Sequence, residues 1–87
     1  GDEVCIVGRV DNVFERQTKG GDSYGVLQVE VNDLIIQITL WPDFWLHQPE
    51  NEATLLNRIV AVSGRVNYFA GKKTVQSSQS TRLEILQ

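Results

Sequence analysis

Eighty-seven residues with a formal net charge of -3 make one small domain with a single core and little to spare. Hydrophobic residues at 41% and charged residues at 22% describe a folded globular chain and exclude a disordered one. No apolar run approaches the roughly 20 residues that a membrane-spanning helix requires, and the acidic balance argues against a binder that works by bulk positive charge.

The first strand is predicted over residues 4–18, with Val4, Ile6, Val10 and Val13 on the core side. Gly8 falls inside it, as a bulge or sharp bend would require, and the alternation slips near Asn12-Val13-Phe14. Cys5 is the only cysteine, so no intrachain disulfide forms and a reducing, cytoplasmic setting is expected. Its expected role is a small buried side chain. The opening Gly1-Asp2-Glu3 has no signal-peptide pattern, and the expectation is a single domain, residues 1–87, belonging to a longer polypeptide.

A hairpin loop rich in glycine follows at residues 19–23. Residues 24–41 then read as two strands joined by a tight turn at Asn32-Asp33. Successive strand side chains face opposite sides of a sheet, so Leu27, Val29 and Val31 share one face and Tyr24, Val26, Gln28 and Glu30 the other. In the next strand Leu34, Ile36, Ile38 and Leu40 form the core set, with Ile35, Gln37, Thr39 and Trp41 opposite. That second face mixes amides, a hydroxyl and aromatics, a composition that sheds water and also forms hydrogen bonds.

Pro42 ends the third strand. Residues 42–57 lose the period of two and predict irregular helix, broken at Pro49, whose Phe44, Trp45, Leu46, Leu55 and Leu56 plug one end of the core. A fourth strand is predicted over residues 58–69, a turn at Ala70-Gly71-Lys72, and a last extended stretch over residues 74–86. Val75, Leu83, Ile85 and Leu86 supply its core contacts. Its middle, Gln76-Ser77-Ser78-Gln79-Ser80, is too polar to bury and is expected at an edge or in an exposed arm.

Three strands, a helical connection and two further strands give an all-β class. The layout is that of a five-stranded OB-fold, a Greek-key barrel with a short helical connection between strands three and four. A five-stranded SH3-like barrel competes, but it has no connection of about fifteen residues after its third strand.

Specific wording adds to the layout. Val7-Gly8-Arg9-Val10, then Glu15-Arg16-Gln17-Thr18-Lys19-Gly20-Gly21-Asp22-Ser23-Tyr24-Gly25-Val26, resembles the opening of nucleic-acid-binding OB domains. The resemblance is nearest to the OB domain in the alpha subunit of bacterial replicative DNA polymerase III. Ile36-Gln37-Ile38-Thr39-Leu40-Trp41-Pro42-Asp43-Phe44-Trp45 is similar to the end of the third strand in those domains, and Val62-Ser63-Gly64-Arg65-Val66 to their fourth. The resemblance implies binding of single-stranded DNA or RNA on the outer face of strands two and three, within a replication complex of other domains or subunits. Anticodon-binding OB domains of class II aminoacyl-tRNA synthetases share the pattern.

Carried onto this sequence, that face points to Tyr24, Gln28, Gln37, Thr39 and Trp41. Arg16, Lys19, Arg65, Lys72 and Lys73 are the candidate cations, and Tyr68 with Phe69 the added stacking surface. Each has a plainer role: Trp41 against Phe44 and Trp45 under the barrel, Tyr24 as a cross-strand partner, and Lys72-Lys73 as a solvated hairpin tip. So few cations against a net charge of -3 imply weak, salt-sensitive binding of about 10⁻⁴–10⁻⁶ M. Tethering in a larger protein makes such affinities useful. A protein-interaction module is the alternative, using the edge of the last strand or the Trp41-Phe44-Trp45 cluster.

Catalysis is not expected. His47 is the only histidine and Cys5 the only cysteine, so neither a Cys-His couple nor a metal site of zinc-ligand spacing is convincing. Ser63 lacks a nucleophile-elbow context, and no glycine cluster cradles a phosphate. Neither a metal nor a cofactor is expected.

Overall fold

Among the described residues, six strands and two single-turn helices follow in the order β1 (Glu3–Gln17), β2 (Ser23–Val31), β3 (Leu34–Leu40), α1 (Pro42–Trp45), α2 (Glu52–Leu55), β4 (Ile59–Phe69), β5 (Lys72–Gln76) and β6 (Leu83–Ile85). The structure, a computed structural model, describes residues 2–69 and 71–87. The Ala70 end of the predicted turn and the side chain of Phe69 lie outside the described residues.

The β2–β3 hairpin forms as the alternation requires. Asn32 and Asp33 both take positive φ, 50° and 67°, the two-residue turn whose twist matches the flanking strands. The register then sets Leu27 opposite Ile38 and Val29 opposite Ile36, and Leu27, Val29, Ile38 and Leu40 are fully buried. Leu34, predicted on the core side, is instead 68% exposed. It belongs to the last pair before the turn, past the reach of the opposing wall.

β1 serves two neighbours. Its first half, Glu3 to Arg9, pairs with β4, and its second half, Arg9 to Gln17, with β2. The register breaks between Val10 and Asn12, so the bulge falls at Asp11 and not at Gly8. One extra residue shifts the alternation, which is why Val10 and Val13 are both buried. Gly8 has a different task. A Cβ there would lie 2.2 Å from the carbonyl oxygen of Glu30 and 2.9 Å from methyls of Val29 and Val31, so glycine alone lets β1 cross β2 this closely. Cys5 is exposed, contrary to expectation: Val4 and Ile6 pack against the core, and the residue between them must point outward.

The pairings run β1-β2-β3-β5-β4 and back to β1, a barrel-like ring of five strands. Its seam is the short parallel contact of Ile38 with Val75 and Thr39 with Gln76, extended by Ser77 N–H donating to Thr39 O at 2.8 Å. The predicted last extended stretch is two strands, giving six rather than five. β5 joins the ring and β6 pairs with Val60 to Val62 of β4. The polar residues between them form a loop closed on itself, in which Ser78 N–H donates to Thr81 Oγ1 at 2.7 Å. Leu83 and Ile85 pack on the core, whereas Leu86 is exposed.

The connection after β3 breaks at Pro49, between α1 and α2. Trp45 and Leu55 are buried at the barrel end and Phe44 packs beside them, but Leu46 and Leu56 are exposed, since a single helical turn presents only one side to the core. Asn51 caps α2, its side chain accepting from Thr54 N while Thr54 Oγ1 accepts from Asn51 N. Replacing Asn51 with alanine is expected to lower stability by about 1 kcal/mol, read as a shift in the urea midpoint at unchanged slope. No described helix is long and apolar enough to cross a membrane.

Candidate functional site

Side chains on the outer face of β1, β2, β3 and β5 line a groove. Strand register stacks its side chains in rows. Arg16 lies opposite Tyr24 and Phe14 opposite Val26, Val26 opposite Thr39 and Gln28 opposite Gln37, and Thr39 beside Gln76 across the seam. The result is a groove of about 300 Å³ in which Arg16, Tyr24, Gln28, Gln37, Thr39 and Trp41 come together. Thr39 and Val26 are buried as its floor.

Four lining residues were not among the predicted ones: Phe14, Val26, Thr74 and Gln76. Val26 shares strand parity with Tyr24 and Gln28, and Phe14 shares it with Arg16, so pattern alone could place both on this face. Gln76 has no local signal, because its position depends on the parallel contact with β3.

Trp41 and Tyr24 form the groove's aromatic end. Their ring centroids are 5.1 Å apart with the planes tilted by 42°. The Trp41 indole N–H donates to Gln76 Oε1 at 3.3 Å, and its backbone N–H donates to Ser77 Oγ at 2.8 Å. Trp41 therefore stands on the outer face, 37% exposed. The tryptophan beneath the barrel is Trp45, whose ring lies against Gly25 so closely that a Cβ would come within 2.5 Å of it. Its indole N–H donates to Glu15 at 2.9 Å.

Arg16 is the cation that lines the groove, its guanidinium carbon 5.5 Å from the centroid of the Phe14 ring, within cation–π range. No carboxylate lines it. Arg9 is committed elsewhere, bonded to Asp11 at 3.1 Å and to Glu30 at 3.2 Å. The hydrogen bond that Arg9 donates to Asp11 first, and the charge of Glu30 second, raise its pKa above the ordinary arginine value.

The remaining predicted residues stand apart. Lys19 is exposed in the β1–β2 turn. Arg65 faces Glu3 at 3.7 Å and borders a separate opening with Ser78, Gln79 and Ser80. Tyr68, 70% exposed, and Lys73 are register partners near the tip of the β4–β5 hairpin, beside Asp2 and Val4 rather than the groove. Lys72 is exposed at that same tip. Of the surfaces that the protein-interaction alternative invokes, β5 is paired with β4 and, at Val75 and Gln76, with β3, β6 pairs with β4 alone among the described strands, and in the aromatic cluster Trp45 is buried while Trp41 is 37% exposed.

A face of this kind can stack a planar ring on Tyr24 and Trp41 and offer amides to its edge. His47 Nδ1 lies 2.9 Å from Asp43 O of its own turn, and Ser63 Oγ accepts from Arg82 N–H at 2.8 Å. Among the described residues, no group of His, Cys, Asp and Glu could hold a metal ion. In comparisons with known proteins no family model matches, and no curated protein or solved structure gives a significant match.

Proposed function

We propose that this chain is an OB-type module that binds single-stranded nucleic acid, DNA in the first instance, weakly and as part of a larger replication protein. The observation that carries the reading is the Tyr24–Trp41 pair at the end of a concave, carboxylate-free groove with Arg16 on its wall. Stacking on aromatic side chains is worth about 1–3 kcal/mol per base and tolerates any base. One groove cation adds little to that. Strands two and three supply the face, as the resemblance in sequence implies, and the helical connection after strand three fits the OB layout.

The test is a fluorescence titration with single-stranded oligonucleotides, DNA and RNA in parallel, at low salt. Quenching of Trp41 with a Kd of tens to hundreds of micromolar is the expected result, and no binding at hundreds of micromolar overturns it for this domain. Tighter binding of RNA than DNA would favour the anticodon-type alternative through 2′-hydroxyl contacts. With Arg16 as the groove's cation, log K should fall with log salt at a slope of about -0.7, the value for one phosphate on a single strand. A slope near -3 would mean that Lys19, Lys72 and Lys73 do the binding instead.

A further inference from the structure

The sheet ends at β6, which sets Leu83 against Val62 and Glu84 against Ala61 of β4 and pairs with no other described strand. Arg82 O accepts from Ser63 N–H at 2.9 Å, and Leu86 N–H donates to Ile59 O at 2.8 Å. The even-numbered residues thus turn their backbone groups toward β4. Alternation along an antiparallel ladder aims the N–H and C=O of Leu83 and Ile85 the other way, to the open edge. Side chains alternate too. Leu83 and Ile85 pack on the core, whereas Arg82 and Glu84 are exposed on the outer face. Neither of these charges has an ion-pair partner among the described residues.

We propose that this edge pairs with β6 of a second copy of the chain, antiparallel, about a two-fold axis through Leu83. Charge selects the register. With the axis at Leu83, each Arg82 stands opposite the other copy's Glu84, so two opposite-charge pairs form, and the free N–H and C=O groups of the two Leu83 residues meet. An axis at Glu84 also brings free backbone groups together, Leu83 with Ile85, but sets the two glutamates face to face. An axis at Arg82 does the same to the arginines, and one at Ile85 leaves Glu84 against Leu86. Opposite charges directly across a strand pair stabilise it and like charges destabilise it. A two-fold contact closes on itself, so assembly stops at the dimer. No groove residue lies on β6, and the inference stands apart from the single-strand reading.

So short an edge buries far less than the about 1,000 Å² of a durable interface, and association in the roughly millimolar range is expected. The experiment follows amide relaxation and chemical shifts through a dilution series from about 2 mM, at about 0.15 M salt to screen the net charge of -3 on each copy. The tumbling time should rise with concentration, with shift changes centred on residues 82–85. Glu84→Arg and Arg82→Glu each turn both pairs from unlike to like, so either variant alone should self-associate roughly ten-fold more weakly or worse. An equimolar mixture of the two variants restores both pairs, and so does the exchanged double variant Arg82→Glu, Glu84→Arg. Both should associate about as well as the parent. The side chains are exposed, so circular dichroism and the urea midpoint should not move. A monomer at every concentration overturns the inference. So does self-association that survives in both single variants, or a mixture that associates no better than either variant alone.

Discussion

Replacing Gly8 with alanine should cost the fold about 3 kcal/mol or more, at the upper end of what overpacking does. The added methyl would sit 2.2 Å from the carbonyl oxygen of Glu30. That oxygen belongs to the backbone of β2 and cannot swing aside as a side chain does. Relief requires the whole β1–β2 crossing to open. For a domain of this size, with total stability of about 5–10 kcal/mol, urea unfolding should show the midpoint drop by a molar unit or more. Two glycines serve as comparators. Gly25→Ala meets the ring of Trp45 at 2.5 Å, a side chain, and should cost less. Gly20→Ala meets nothing nearer than 3.8 Å and should leave the midpoint within about 0.5 kcal/mol of the parent. A Gly8→Ala protein as stable as the Gly20→Ala protein would refute the close crossing.

The second large effect concerns the ligand. The double variant Tyr24→Ala, Trp41→Ala should lose about 30-fold or more in affinity for single strands, taking the lower bound for two stacking partners. Binding that begins near 10⁻⁴–10⁻⁶ M then falls to the edge of detection. Neither residue is part of the buried core, so the far-ultraviolet circular dichroism and the urea midpoint should stay close to the parent. Trp41→Phe keeps a ring and should retain most of the affinity, though it gives up the bond to Gln76. A double variant that binds like the parent would move the interface off this face. Anisotropy of a labelled oligonucleotide is the suitable readout, because the variant removes the reporting tryptophan.

Local alternation carried much of this fold. Residues 24–41 could be laid out in register because a half-buried hairpin repeats every second residue, and Asn32-Asp33 names its own turn. The slip at Asn12-Val13-Phe14 reads as strand curvature and Gly8 as the bulge or bend, but the bulge lies at Asp11, a position that depends on which β2 residue it faces. What stayed hidden was long-range. Leu34 is apolar and in phase with Ile36, Ile38 and Leu40, and only the extent of the opposing wall decides that it stays outside, whereas Leu86 has the opposite parity to Leu83 and Ile85. Cys5 has the composition of a core residue and the parity of a surface one. In the groove, Arg16, Tyr24, Gln28, Gln37, Thr39 and Trp41 were legible from the strand pattern and the family resemblance together. Gln76 was not, since a polar run reads as an arm until a parallel neighbour more than thirty residues away gives it a partner. Tyr68 and Lys73 look equivalent to the groove residues in sequence, but their hairpin places them by another opening.

The two-residue seam between β3 and β5 lies directly under the groove floor. A hoop fastened by so short a clasp yields there first, and the clasp's two lips carry Thr39 on one side and Gln76 on the other. Any strand seated across both lips grips only the closed hoop. By linkage it then adds to the free energy that keeps the hoop shut. Occupancy and resistance to unzipping thus rise together, with no hinge or lid built for the purpose.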